Sequence, residues 1–240
     1  MRLNRFLAQA GIGSRRKCDL LIEQGRVSVN DAPVTQLGVR IDPEKDQITV
    51  DGQPVRVVER LIYILLNKPA GYVVTTHDTH GRKTVFDLLN GIHQRVFSVG
   101  RLDLDTQGAL LLTNDGDLAF RLSHPRYQVP KTYLALVEGV PDKADLERLC
   151  QGVHFDNWTS SAAQVRLVKA SARDAMVEIR LCEGRKRQVK KMCQAVGHPV
   201  KKLWRTAFAG IGVADLPPGR WRPLRKSELR DLKNLVGLTS

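Results

Sequence analysis

The sequence predicts an α/β protein of the α+β type, in which a small N-terminal module precedes a larger domain built on a mixed sheet. Two observations predict this fold. The first 57 residues combine two short helical patterns with short strands and tight turns, whereas apolar strands alternate with helical segments from about residue 58 onward. We therefore predict two domains, residues 1–57 and residues 58–240, joined by a flexible connection at residues 55–60.

The N-terminal module is predicted to begin with two helices. Apolar residues recur at helical spacing over residues 3–10 and residues 18–22, and Gly11 and Gly25 stand where these helices should end. Short β-type runs with turn signals behind them follow at residues 27–29 and 48–50. These elements form a compact unit with its own small core.

The larger domain is predicted to alternate strands with helices. Apolar or β-branched runs predict strands at residues 62–66, 72–76, 96–99, 110–113, 132–137, 163–168 and 176–181. Helical spacing predicts helices at residues 85–89, 118–122, 143–150, 186–196 and 228–236. Asp115 and Ser227 are the predicted N-caps of the second and the last of these helices.

The charge balance favours a polyanionic partner. Lys and Arg total 38 against 25 Asp and Glu, which gives a net charge of +13. Such a surface attracts nucleic acid first and an anionic membrane second. No run approaches the roughly 18 to 20 apolar residues of a membrane span, and the first residues lack the apolar core of a secretory signal. We therefore expect a cytoplasmic protein.

The cysteines do not form a recognisable pattern. Cys18, Cys150, Cys182 and Cys193 are widely spaced, and no two of them form a C-x-x-C pair. Each lies in an apolar context that suits a buried thiol. We expect neither disulfides nor a zinc site.

The first thirty residues carry an excess of basic side chains. Six basic residues stand against two acidic ones: Arg2, Arg5, Arg15, Arg16, Lys17 and Arg26. Along two helices they would form a face that follows a phosphate backbone, or alternatively an ordinary solvated face. The segment RLNRFLAQAGIGSRRKCDLLIEQGRVSVNDAPV, with its turn at Ser14 and its Gly-Arg-Val-x-Val-Asn exit, resembles the alpha-L RNA-binding module. This resemblance implies binding of structured RNA by residues 1–57.

A glycine-bounded loop follows the predicted strand at residues 96–99. It runs Gly-Arg-Leu-Asp-Leu-Asp-Thr-Gln-Gly from Gly100 to Gly108 and contains the carboxylates Asp103 and Asp105. A loop between two buried strands is a common location for active-site groups. The alternative is that both aspartates simply cap turns.

A second basic cluster lies in the last third of the chain. Residues 181–205 contain eight basic residues and one acidic residue. A helix beginning near Lys186 would group Arg187, Lys190 and Lys191, while its apolar residues face the core. We predict an anion-binding surface here, with a solvated basic face as the alternative.

Four motifs in this order resemble the RsuA-type family of ribosomal RNA pseudouridine synthases. They are Lys68-Pro-Ala-Gly-Tyr, Gly100-Arg-Leu-Asp-x-Asp-Thr-x-Gly, Lys131-Thr-Tyr133 and Glu183-Gly-Arg-x-Arg-Gln-Val-Lys-Lys-Met. The resemblance implies a pseudouridine synthase domain with a mixed, mainly antiparallel sheet at residues 58–240. It also implies that the chain isomerises a uridine in ribosomal RNA without a cofactor or a metal. The stretch at residues 81–89 is more similar to members acting on the large subunit than on the small one.

The same resemblance assigns the site residues. Asp103 matches the catalytic carboxylate, Tyr133 the ring that packs against the target base, and Lys190 the basic side chain beside the aspartate. Arg101 would displace or hold the flipped nucleotide. The remaining RNA contacts are expected from the N-terminal basic residues with Ser14, and from Arg82, Lys83, Arg185, Lys186, Arg187 and Lys191.

Three further expectations complete the prediction. His77 and His80 lack a third ligand nearby in sequence, so we expect no metal, and Trp158, Trp204 and Trp221 are interpreted as packing residues. The expected partner is ribosomal RNA, as a structured stem-loop or an assembly intermediate, bound by a monomer. A non-catalytic ribosome-assembly factor and a transfer RNA synthase are the alternatives.

Overall fold

The computed structural model describes residues 1–57, 60–76 and 78–238. The chain divides into two compact units, Met1–Leu61 with His93–Arg95 and Asn114–Gly116, and Ile62–Ile92 with Val96–Thr113 and Asp117–Ser240. His77 and part of the predicted connection, residues 58 and 59, lie outside the described residues. The boundary after residue 57 stays a prediction.

The first unit contains two helices and a small antiparallel sheet. The helices are α1 (Leu3–Gln9) and α2 (Arg15–Glu23). The strands are β1 (Val27–Val29), β2 (Ala32–Val34), β3 (Ile48–Val50) and β4 (Gln53–Pro54), in the order β2-β1-β3-β4. Both predicted helices and both predicted strands are confirmed, while β2 and β4 were not predicted. Leu3, Phe6, Leu7, Cys18 and Ile22 belong to the unit's apolar core.

The second unit is built on one large sheet. Its strands are β5 (Tyr63–Lys68), β6 (Phe97–Ser98), β7 (Gln107–Thr113), β8 (Lys131–Glu138), β9 (His154–Phe155), β10 (Trp158–Thr159), β11 (Gln164–Ala170), β12 (Asp174–Leu181), β13 (Val200–Phe208), β14 (Ile211–Gly212) and β15 (Trp221–Pro223). Its helices are α3 (Gly116–Ser123), α4 (Lys143–Gln151), α5 (Gln188–Ala195) and α6 (Lys226–Leu235), with short 3-10 turns at Val85–Leu88 and Pro125–Tyr127.

The main sheet is mixed and mainly antiparallel, as expected. Its order is β11-β12-β8-β13-β7-β5-β15, with β14 beside β13 and β6 beside β7. Of its named strand pairs, β13 and β7 run parallel and the others are antiparallel. Strands β9 and β10 form a separate hairpin. Apolar clusters cover the sheet, and Tyr133 on the central strand β8 packs against two of them.

Two local predictions are wrong. Residues 72–76 do not form a strand, because only Val73 finds a backbone partner, in an isolated parallel bridge with Thr84. Ser227 does not cap the last helix. The carboxylate of Glu228 accepts the backbone N–H of Arg225 at 2.8 Å, so the helix begins one residue before Ser227 and Arg225 is its N-cap.

Strand β13 was not predicted, although it lies near the centre of the sheet. It carries Lys201, Lys202 and Arg205, and its pairing with β8 is interrupted by two register shifts. Arg205 is buried, donates from Nε to the carbonyl of Ala109 at 2.7 Å and lies over the Phe208 ring. A buried cation removes the apolar alternation by which a strand is usually detected.

None of the helices in the described ranges has the length and apolar composition of a membrane span.

Candidate active site

The loop at residues 100–106 connects β6 to β7 and is fixed at its far end by a close backbone contact. Gly108 has a φ of +107°, and a Cβ atom on it would lie 2.2 Å from the carbonyl oxygen of Arg205. The contact arises where β7 and β13 pair in parallel, with Arg205 opposite Gly108. A glycine is required here by both its conformation and its lack of a side chain.

Lys68 holds the same loop from within the protein. It is the last residue of β5 and is fully buried. Its ammonium donates to the carbonyl oxygens of Asp103 (3.1 Å), Leu104 (3.2 Å) and Thr106 (2.8 Å), and of its neighbour Pro69 (3.1 Å). Burial lowers the pKa of Lys68 to about 8, although the charges of Asp105 and Asp103 oppose this shift. A buried cation therefore fixes the backbone that carries both aspartates.

The loop forms part of a cleft of about 710 Å³ in the second unit. This volume falls within the roughly 300–1,000 Å³ of small-ligand pockets. Asp103 and Tyr133, which are 30 residues apart in sequence, both line it. Asp103 is half-buried, and its carboxylate makes no hydrogen bond or ion pair with residues 1–57, 60–76 or 78–238. The cleft therefore presents one uncommitted carboxylate together with one phenol ring.

Lys190 does not pair with Asp103, contrary to the expectation. Its ammonium lies 2.6 Å from both carboxylate oxygens of Asp105, and this hydrogen-bonded pair lowers the pKa of Asp105. Lys190 lies in the first turn of α5 and is 12% exposed, whereas Asp105 is 64% exposed. The two aspartates of the motif thus differ in their contacts, because the Asp105 carboxylate makes an ion pair and the Asp103 carboxylate makes none with the described residues.

Five of the predicted RNA-binding residues of the second unit line the cleft. They are Arg82, Arg101, Arg185, Lys186 and Arg187. Arg82 is fixed by Asp78, which accepts its guanidinium at 2.6 Å and its backbone N–H at 2.8 Å. These bonds hold the pKa of Asp78 well below its usual range. Lys83 is exposed but is not part of the lining, and Lys191 pairs with Asp156 beside a smaller cavity.

The loop that carries three of these cations is held by a buried amide. The side chain of Gln188 accepts the backbone N–H of Arg185 at 2.9 Å and donates to the carboxylate of Glu183. Glu183 in turn accepts two hydrogen bonds from Ser161. Arg187 has a φ of +55°, a left-handed conformation that costs energy for any residue with a side chain. The three cations at residues 185–187 are all exposed.

The predicted contacts of the first unit have different environments. Arg15, Arg16 and Lys17 are exposed in the first turn of α2, where the free N–H groups of a helix favour anions. Ser14 is the N-cap of α2 and accepts the backbone N–H of Lys17. Arg26 is engaged in a two-bond ion pair with Asp51. Arg2 is exposed and Arg5 half-buried on α1 and its flank.

Sequence reasoning gave no separate role to Lys68 or Asp105, and it interpreted Trp158 as a packing residue. The signal for Lys68 was a lysine that ends an apolar strand immediately before a proline, in Tyr63-Ile-Leu-Leu-Asn-Lys-Pro. His80 lines the cleft, and no group of three or more possible metal ligands is found in the part of the chain that the structure describes.

Comparison with known proteins places both units. Residues 62–195 match the family model described as RNA pseudouridylate synthase, and residues 1–48 match the S4 domain, which confirms the predicted N-terminal module. An uncharacterized RNA pseudouridine synthase of Aquifex aeolicus (strain VF5) is 46% identical over 99% of this chain and 96% of its own length.

Two further relatives cover nearly the whole chain. Ribosomal large subunit pseudouridine synthase B of Bacillus subtilis (strain 168) is 41% identical over 98% of this chain and 96% of its own length. A solved structure described as a crystal structure of pseudouridylate synthase superimposes with a TM-score of 0.70 at 29% identity, over 97% of this chain and 99% of that one.

Proposed function

Because the chain belongs to the RNA pseudouridylate synthase family, we propose that it isomerises one uridine of large-subunit ribosomal RNA, with Asp103 as its catalytic carboxylate. The match to synthase B supports the substrate class, and the S4 domain and the net charge of +13 support an RNA partner. The single observation that carries the proposal is that Asp103, whose carboxylate makes no hydrogen bond or ion pair with the described residues, shares one cleft with Tyr133 and five cationic side chains.

The reaction needs an ionised carboxylate and no cofactor. It breaks the bond between the uracil nitrogen and the sugar carbon, and it forms a carbon–carbon bond between the same sugar carbon and a carbon of the rotated ring. That ring carbon loses its proton, and the freed nitrogen carries a proton in the product. Atoms and redox state are unchanged. A carboxylate that takes part must be held in position in the cleft, and Lys68 fixes the backbone of Asp103 by donating to its carbonyl oxygen.

The target uridine must leave its stack before the reaction. Tyr133 offers a ring surface in the cleft, and its strand is held on both sides by β12 and β13. Arg101 and Lys186 line the same cleft, and in this proposal they bind flanking phosphates. We assign Lys190 to fixing the loop through Asp105. We expect the protein to act as a monomer in the cytoplasm, on a structured stem-loop or an assembly intermediate.

The test compares Asp103→Asn with Asp215→Asn, which makes the same chemical change at an exposed site outside the cleft. Wild type and both variants are incubated with transcripts of large-subunit, small-subunit and transfer RNA, and pseudouridine is mapped by carbodiimide-blocked primer extension. Wild type and Asp215→Asn should modify one uridine of the large-subunit transcript. Asp103→Asn should give no product while its RNA affinity stays nearly unchanged.

Each alternative predicts a different pattern. Full activity of Asp103→Asn would contradict the assignment of this aspartate. Product in transfer RNA alone would make the protein a transfer RNA synthase, and RNA binding by the wild type without product on any transcript would make it a binding factor.

A further inference from the structure

A second cavity lies beside the main cleft and has the composition of a nucleobase site. It measures about 420 Å³ and is lined by six residues: Phe155, Asp156, Trp158, Arg185, Lys186 and Lys191. Two of them, Arg185 and Lys186, line the main cleft as well. The two cavities therefore share part of their wall.

The aromatic wall of this cavity is a tight hairpin. β9 and β10 pair Phe155 with Trp158 across a two-residue turn, in which Asp156 and Asn157 have φ values of 49° and 58°. Positive φ at both central residues is typical of the type I′ turn. The rings of Phe155 and Trp158 meet edge to face at 5.3 Å, and Phe155 packs on the apolar cluster of the domain. The ring of Trp158 therefore has a fixed support.

The base of the hairpin is tied to the loop that carries Arg185. Ser160 is buried, donates its N–H to the carbonyl of Val153 and accepts the N–H of Val153 on its hydroxyl, both at 2.9 Å. The next residue, Ser161, donates two hydrogen bonds to Glu183. Hydrogen bonds thus join the base of the hairpin to the loop that carries Arg185.

Arg185 lies over the Trp158 ring of this hairpin. Its guanidinium carbon is 4.1 Å from the centroid of the Trp158 ring, and the residue remains exposed. A guanidinium supported on one face by an indole has its other face free for a nucleobase. Lys186 supplies positive charge at the same cavity for the phosphate that accompanies such a base, whereas Lys191 is paired with Asp156.

We propose that this cavity is a subsite for one unpaired nucleobase of the substrate RNA, close in sequence to the target uridine, which stacks on Arg185 with Trp158 behind it. The subsite rests on the proposed function for its substrate, and it contributes to the choice of uridine. Trp158, which the sequence presented as a packing residue, is in this assignment a residue of RNA recognition.

The test asks whether the loss of kcat/KM caused by a protein variant and the loss caused by an abasic residue in the RNA come from the same contact. Once the modified uridine is mapped, short RNAs centred on it are made, each with one abasic residue at a different neighbouring position. For wild type, one abasic position should lower kcat/KM by about 10-fold or more, in line with the strength of base stacking. Trp158→Leu and Arg185→Ala should show a loss of similar size on the intact RNA and no additional loss at that position.

The control variant is Arg166→Ala, which removes one exposed arginine of β11 that pairs with Glu178 outside both cavities. It should behave as wild type on every RNA. Arg185→Lys keeps the charge but not the planar group, so it should show the same coupling as Arg185→Ala. Trp158→Phe keeps an aromatic ring, so it should retain most of the activity on the intact RNA. If Trp158→Leu fails to fold, the coupling is judged from Trp158→Phe and the two Arg185 variants.

Losses that multiply at every abasic position, or full activity of both Arg185 variants on the intact RNA, would overturn the subsite while leaving the proposed function intact. If wild type made no pseudouridine, the proposed function would fail. In that case, dissociation constants of the same variants are measured for oligouridylate and for its abasic analogue. A loss of affinity in the variants that is absent for the abasic analogue would show that a base stacks on Arg185.

Discussion

The loop at residues 100–106 and the loop at residues 183–187 both line the main cleft, but they are held by opposite means. The first is fixed by the fully buried ammonium of Lys68 and by the backbone contact at Gly108. The second is fixed by the amide of Gln188 and the carboxylate of Glu183, and its cations point to solvent. The burial of a charge, which is costly, is thus found where the loop carries the proposed catalytic carboxylate, whereas the cations that we propose bind RNA remain exposed.

The largest effect is expected from adding one methyl group at Gly108, where β7 anchors the first loop, in comparison with one methyl group within the second loop. Gly108→Ala should lower the free energy of unfolding by about 3 kcal/mol or more, because the new Cβ would meet the carbonyl of Arg205 at 2.2 Å in a left-handed conformation. Gly184→Ala is the matched change in the second loop, where the nearest atom is 3.8 Å away on the Lys131 side chain. It should cost less than about 1 kcal/mol. Urea denaturation measures both, and equal losses would contradict the proposed difference in rigidity.

The next effect isolates the buried ammonium of Lys68. Its pKa in the folded protein is about 8, below the ordinary 10.5, so the unfolded chain binds more protons between these values and stability rises with pH there. The unfolding free energy of wild type relative to Lys68→Met should therefore increase by about 2 kcal/mol from pH 7 to pH 10. Lys131, whose pKa is also lowered to about 8, is present in both proteins, and its contribution cancels. A difference that stays constant with pH would mean that Lys68 is not desolvated in the folded state.

The sequence predicted the fold better than it predicted the contacts that fix the two loops. Both N-terminal helices and most strands were found because their apolar residues repeat at the period of the element. The motifs were also sufficient to name Asp103 and Tyr133, which the structure brings into one cleft. The partner of Lys190 was not predictable, since Asp103 and Asp105 are two residues apart and only the tertiary position of α5 decides which of them it reaches. Strand β13 was missed because it buries Arg205, and the hairpin with Trp158 because each of its strands has two residues.

The smallest expected effect concerns Arg187 and has opposite signs for folding and binding. Arg187→Gly should raise the free energy of unfolding by up to about 1 kcal/mol, because glycine adopts the φ of +55° without the cost of a side chain. The same change should weaken RNA binding and lower the slope of log Kd against log salt by about 1, since one cation is lost. Arg187→Lys keeps both the charge and the strain, so it should leave stability and salt slope close to those of wild type. A stable Arg187→Gly protein that binds RNA with unchanged salt dependence would show that this strained residue does not contact phosphate, and that the second loop reads RNA through Arg185 and Lys186 alone.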